Sequence, residues 1–115
     1  NSIWSNAGTG AGIAQLASVD ILQAIENNLI EGFSGTGGAG VQSSGAVGAL
    51  HTYYGNSFYA CTTDLDVAAT TFIGASFNNE SLSASPFTDP SNGDFTPVDT
   101  GSVKEGSYPQ VIGQQ

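Results

Sequence analysis

Hydrophobic positions along this chain come in short runs of two to six residues, alternating or clustered, and each run is broken by Gly, Asn, Ser or Thr. Such runs predict short strands separated by turns. Over residues 17–27 a helix competes, since Ser18 offers a cap and Ile21, Leu22 and Ile25 fall at helical spacing. The equivalent stretch further along holds Gly48, Thr52, Tyr53, Tyr54 and Gly55, which are poor helix formers.

That equivalence is part of an internal repeat. Residues 19–30 recur as 47–58 at a constant offset of 28, matching Val19 with Val47, Leu22 with Leu50, Asn28 with Asn56 and Ile30 with Phe58. Upstream, Asn1-Ser2-Ile3-Trp4 matches residues 28–31 at offset 27, and the glycine run at 8–12 matches the run at 35–40. One inserted glycine accounts for the slip. Three short strands per unit predict an all-β fold: a short parallel β-helix, or solenoid, of about three coils over residues 1–73 with a 27–28-residue repeat. A Pro/Gly-rich C-terminal cap and extended tail are expected over 74–115. The predicted core is a set of inward stacks, Val19 over Val47, Leu22 over Leu50, and Ile3, Ile30 and Phe58 together. Asn1, Asn28 and Asn56 are the candidate rungs of an asparagine ladder, with amides hydrogen-bonded along a stack spaced about 4.8 Å apart. Asn also tolerates the left-handed backbone of a tight corner. The alternative is that these are ordinary turn residues. The glycine runs read as corner loops rather than dinucleotide fingerprints, because no strand-loop-helix unit surrounds them.

On these repeats the chain resembles the C-terminal end of right-handed parallel β-helix proteins of the pectate-lyase-like type, found in phage tail spikes and fibres and in secreted carbohydrate-active proteins. The likeness covers roughly residues 1–70 as coils. Residues 85–98, Ser-Pro-Phe-Thr-Asp-Pro-Ser-Asn-Gly-Asp-Phe-Thr-Pro-Val, are similar to the closing segment that follows the last coil in such proteins.

From Asp64 the repeat fades, and all four prolines lie beyond it, at 86, 90, 97 and 109. A segment of this kind is expected to fold over the open end of the last coil, with Phe72, Phe77, Phe87 and Phe95 as plugs. Asn1 to Trp4 read as the middle of a coil, so the N-terminal face is expected to be covered by preceding residues or by another subunit.

Composition narrows the partners. Ten acidic residues against a single Lys104 and no Arg give a formal net charge of −9 and a pI near 4.1. Nucleic-acid binding and attraction to anionic membranes are therefore excluded as expectations, and no apolar window is long enough for membrane insertion. Cys61 is the only cysteine, so it builds no intramolecular disulfide framework and reads as a buried thiol.

Chemistry is sparse. The resemblance implies, for a lyase, basic side chains that neutralise an acidic sugar, and these are missing. For a hydrolase it implies grouped carboxylates. Asp64 and Asp66, two apart on a predicted strand, are the only pair in a coil; they read as a solvated strand edge, with Ca²⁺ coordination as a weak candidate role. His51 takes the place of Gln23 one repeat on and faces solvent or a groove. The run from Asp89 to Asp94 has its glycine fifth, where a calcium loop wants a ligand, and reads as a turn. Trp4, Glu31 and Tyr59 follow the inward Ile3, Ile30 and Phe58 and so face outward along one side. With Tyr53 and Tyr54, Trp4 and Tyr59 are candidates for a subunit interface or for stacking on sugar rings. The expectation is a non-enzymatic structural or assembly protein without a cofactor. It is expected to form homo-oligomers or join other particle subunits as a virion component such as a spike, fibre or capsid decoration, in an extracellular or virion setting. The alternative is the C-terminal part of a secreted or surface β-helix that binds or degrades polysaccharide, its active site lying outside this chain.

Overall fold

The computed structural model describes residues 1–15, 23–43, 50–67 and 72–98. Through them run β1 (Ser2–Trp4), β2 (Ala11–Gln15), β3 (Gln23–Glu26), β4 (Leu29–Glu31), β5 (Ala39–Ser43), β6 (Leu50–Tyr54), β7 (Ser57–Tyr59), β8 (Thr63–Val67), β9 (Phe72–Phe77), β10 (Glu80–Ser81), β11 (Phe87–Asp89) and β12 (Asp94–Pro97). The first ten form three parallel sheets, ordered β1-β4-β7-β10, β2-β5-β8 and β3-β6-β9. The chain thus visits the three sheets in rotation three times and returns to the first with β10. The all-β, parallel expectation holds. The helix weighed over 17–27 gives way to strand where it is described, since Gln23–Glu26 is β3.

Register follows the repeat. Ile3 pairs with Ile30 at offset 27, and Ile30 with Phe58, Ile13 with Val41 and Gln23 with His51 at offset 28. In the third round the offset contracts: Val41 pairs with Leu65, Tyr54 with Phe77 and Ser57 with Glu80. The cause is loop length. Residues 32–38 separate β4 from β5, whereas only residues 60–62 separate β7 from β8. Parallel pairing therefore continues through Ser81, and the boundary expected between 73 and 74 falls inside β9.

Strand alternation sends one side chain in two toward the interior. Ile25, Ile30, Phe33, Val41, Tyr53 and Phe58 form the buried cluster, and Ile3, Ile13, Cys61, Leu65 and Val67 pack against it. Full burial of an Ile or Phe contributes about 1.5–3 kcal/mol, so the Ile3, Ile30 and Phe58 stack is a main source of stability. Leu50 lies in β6 with its backbone opposite Phe72. Val19, Leu22 and Val47 lie outside the described residues.

Two glycines expected at corners lie inside strands. Gly12 sits in β2 and Gly40 in β5, and a Cβ on Gly40 would stand 2.3 Å from Phe58 Cδ1. The ring of Phe58 occupies the space a side chain there would need.

The C-terminal segment also departs from expectation. The backbones of Phe72 and Phe77 belong to β9, and whether their side chains plug the end lies outside what is described. β11 and β12 form an antiparallel hairpin, closed by a 3-10 turn at Pro90–Asn92 with Gly93 left-handed at φ 85°. This hairpin lies across the first sheet. Phe95 meets Trp4 of β1 edge-on at 6.1 Å between ring centroids and Phe87 at 5.8 Å. Phe87 is buried, and Ser85 reaches Glu31 of β4. The segment straps the side of the stack because an outward column of Trp4, Glu31 and Tyr59 offers apolar surface there.

Candidate functional site

The asparagine ladder is present and longer than expected. Asn1 Nδ2 donates to Asn28 Oδ1 at 3.1 Å, Asn28 Nδ2 to Asn56 Oδ1 at 2.8 Å, and Asn56 Nδ2 to Asn79 Oδ1 at 2.8 Å. The acceptor oxygens also take backbone donors, Asn28 N at Asn56 and Asn56 N at Asn79. Each lower amide turns back to the strand above, Asn56 Nδ2 to Ile25 O and Asn79 Nδ2 to Tyr53 O. The ladder residues do not themselves take the left-handed corner. Their predecessors do: Asn27 (φ 58°), Gly55 (φ 62°) and Asn78 (φ 55°). Asn79 escaped the sequence reading because the shortened third round moves it to an offset of 23. The doublet Asn78-Asn79, echoing Asn27-Asn28, was the available signal.

Tyr53 is a core residue, not an outward aromatic. It takes the place of Ile25 in the register and is 0% exposed. Its hydroxyl crosses to the second sheet and donates to Gln15 Oε1 at 2.8 Å. Burial raises its pKa, and a hydrogen bond with Ser43 pulls modestly the other way. The apolar Ile25 one repeat earlier, itself buried, was the signal available for an interior position.

Trp4, Tyr54 and Tyr59 are half-buried. Tyr54 lies opposite Glu26 and Phe77 on the third sheet, apart from the others. Trp4, Glu31 and Tyr59 share one register position on β1, β4 and β7. Between this column and residues 85–91 lies a groove of about 440 Å³, lined by Trp4, Glu31, Tyr59, Ser85, Phe87 and Asp89 among others. Glu31 is only 8% exposed, and one of its carboxylate oxygens accepts from Ser85 Oγ at 2.5 Å. Asp89 accepts from Ser91 Oγ and Asn92 Nδ2. Those hydrogen bonds, from Asn92 first and then Ser91, hold its carboxyl below the usual range.

Asp64 and Asp66 lie on β8, with Leu65 and Val67 between and beyond them packed on the core. Asp64 accepts from Ser81 Oγ, and Asp66 Oδ2 from Gln42 Nε2 at 3.0 Å. Among the described residues no group of three His, Cys, Asp or Glu side chains is assembled around a common point. The backbone of His51 pairs with Gln23 and Ile73. Cys61 is half-buried, and its thiol is pushed up by burial, with Asp64 and Glu31 adding to the effect.

No protein-family model, curated protein or solved structure matches this chain. The stacked parallel sheets agree with a solenoid, and kinship with pectate-lyase-like proteins rests on the sequence resemblance alone.

Proposed function

We propose that the three rotating sheets wind as coils of a right-handed parallel β-helix, and that its function is assembly rather than catalysis. One observation carries the reading. β1, β2 and β3 at one end of the sheets, and β8, β9 and β10 at the other, each pair on one side only among the described residues. Exposed strand edges present rows of unpaired amides and carbonyls that template further pairing. Two unlike edges on one molecule favour head-to-tail association, which propagates when it does not close. A component of a virion spike, fibre or capsid decoration, in an extracellular or virion setting, fits such assembly, and the sequence resemblance supports that setting.

Register allows a clean test. Leu29 N donates to Asn1 O and Ser5 N to Glu31 O, so odd-numbered residues of β1 face β4. Parallel strands alternate their bonding sides, and the N–H of Ser2 is directed away. Ser2→Pro removes that outward donor while leaving the pairing with β4 intact. In sedimentation velocity at micromolar concentration the parent chain associates with rising concentration, and Ser2→Pro stays smaller with an unchanged circular dichroism spectrum. A parent chain that remains a stable, monodisperse monomer overturns the assembly reading.

A further inference from the structure

The groove beneath the hairpin is framed by two aromatic residues with a nearly buried carboxylate between them. Trp4 and Tyr59 flank Glu31 on neighbouring strands in register. Strand spacing places each about 4.8 Å to one side of it. A positive charge seated beside Glu31 thus has an aromatic side chain on the strand to either side, the kind of setting in which cation–π contacts form.

Charge points the same way. Glu31 is 8% exposed, its hydrogen bond comes from the neutral Ser85, and no described residue forms an ion pair with it. A desolvated carboxylate gains most from a positive partner. Asp89 adds a second carboxylate to the lining, and Lys104, the one Lys or Arg of the chain, lies outside the described residues. On the hairpin side Phe87 is among the lining residues, held packed at 2% exposure.

We propose that this groove binds an organic cation of the alkylammonium class, with a quaternary ammonium as the best-matched head group. A quaternary ammonium has no N–H to satisfy and is weakly hydrated, so aromatic walls desolvate it at little cost while Glu31 and Asp89 supply the counter-charge. A neutral sugar would use the same rings but leave Glu31 without charge compensation.

Trp4 is the only tryptophan and lines the groove, so its fluorescence reports on occupancy directly. Choline chloride, titrated at constant ionic strength, gives a saturable change. The uncharged isostere 3,3-dimethylbutan-1-ol binds at least about tenfold more weakly. Glu31→Gln, which keeps an acceptor for Ser85, weakens choline about tenfold by calorimetry, and Tyr59→Leu at its half-buried site does the same. If Glu31→Gln fails to fold, Tyr59→Leu and the isostere pair still decide the matter. Three results overturn the proposal: no saturable response to choline, an equal response to the uncharged alcohol, or saturation by a neutral hexose where choline gives none.

Discussion

Asn28 and Asn56 share a two-pronged contact: the side-chain amide of Asn28 donates to Asn56 Oδ1 at 2.8 Å, and its backbone N–H reaches the same oxygen at 3.2 Å. Asn56 repeats the arrangement toward Asn79. One side chain thereby satisfies buried main-chain and side-chain groups from two rounds at once.

Asn56→Ala breaks this network at its most buried rung, where the residue is 0% exposed. It orphans the Asn28 amide and the carbonyl of Ile25, and each lost buried hydrogen bond costs about 1–3 kcal/mol. We expect a loss of roughly 3 kcal/mol or more in chemical denaturation. Asn1→Ala, at the exposed end, should cost less than about 1 kcal/mol. Equal losses at the two sites would show that the ladder carries no cooperative weight.

The left-handed corners make opposite predictions for two substitutions. Gly55 sits at φ 62°, and Gly55→Ala places a Cβ in that region at a cost of about 1 kcal/mol. Asn27 occupies the matching corner at φ 58°, and its buried Oδ1 has no partner. Asn27→Gly removes that oxygen and relaxes the backbone, so thermal denaturation should show a gain of a few tenths to about 1 kcal/mol.

Tyr53 predicts an alkaline loss of stability. Burial raises its pKa above the ordinary 10.0, so the folded state holds the phenolic proton more tightly than the unfolded chain. The stabilisation is complete below pH 10 and falls as pH rises through the folded pKa. Denaturant titrations between pH 8 and 11 should show this fall in the parent and a shallower one in Tyr53→Phe. At neutral pH the Phe variant is expected to lose about 1 kcal/mol, because the buried hydrogen bond from Tyr53 to Gln15 is removed. A Phe variant with the parent's alkaline slope would move the effect to another group.

Gly40 tests the packing of the stack. A Cβ there meets Phe58 Cδ1 at 2.3 Å and the carbonyl oxygen of Asp64 at 2.8 Å. Gly40→Ala should destabilise by about 2–3 kcal/mol. Trimming the ring with Phe58→Leu should make the alanine cheaper than in the parent, and a double-mutant cycle measures that coupling. Strictly additive losses would place the clash elsewhere.

The strand order and the register of the first two rounds were legible because one rule, a 27–28-residue offset, matched apolar and Asn positions together. Ile30 over Ile3 and Phe58 over Ile30 followed directly. Asn79 was hidden because a loop deletion between β7 and β8 shifts the offset without changing the strands. Tyr53 was misplaced because it was grouped with Tyr54 by chemistry, although strand alternation sends neighbours to opposite faces and the register gave Tyr53 the inward place of Ile25. The closing segment over residues 85–98 was legible as such, but its docking along the first sheet had no signature. Phe87 and Phe95 follow no period, and what draws them to Trp4 is the shape of a column that exists only once three strands are side by side. The groove and the burial of Glu31 were invisible for the same reason.

The edge-on meeting of Trp4 and Phe95 has a temporal side. Repeat arrays in which each unit touches only its neighbours can consolidate unit by unit as they leave the ribosome. Here residues from the first strand wait for a hairpin translated long after them, so the outer flank of β1, β4 and β7 stays bare through most of synthesis. Sealing of that flank waits for the hairpin, and a chain cut short before Phe87 would leave Trp4, Glu31 and Tyr59 without its cover.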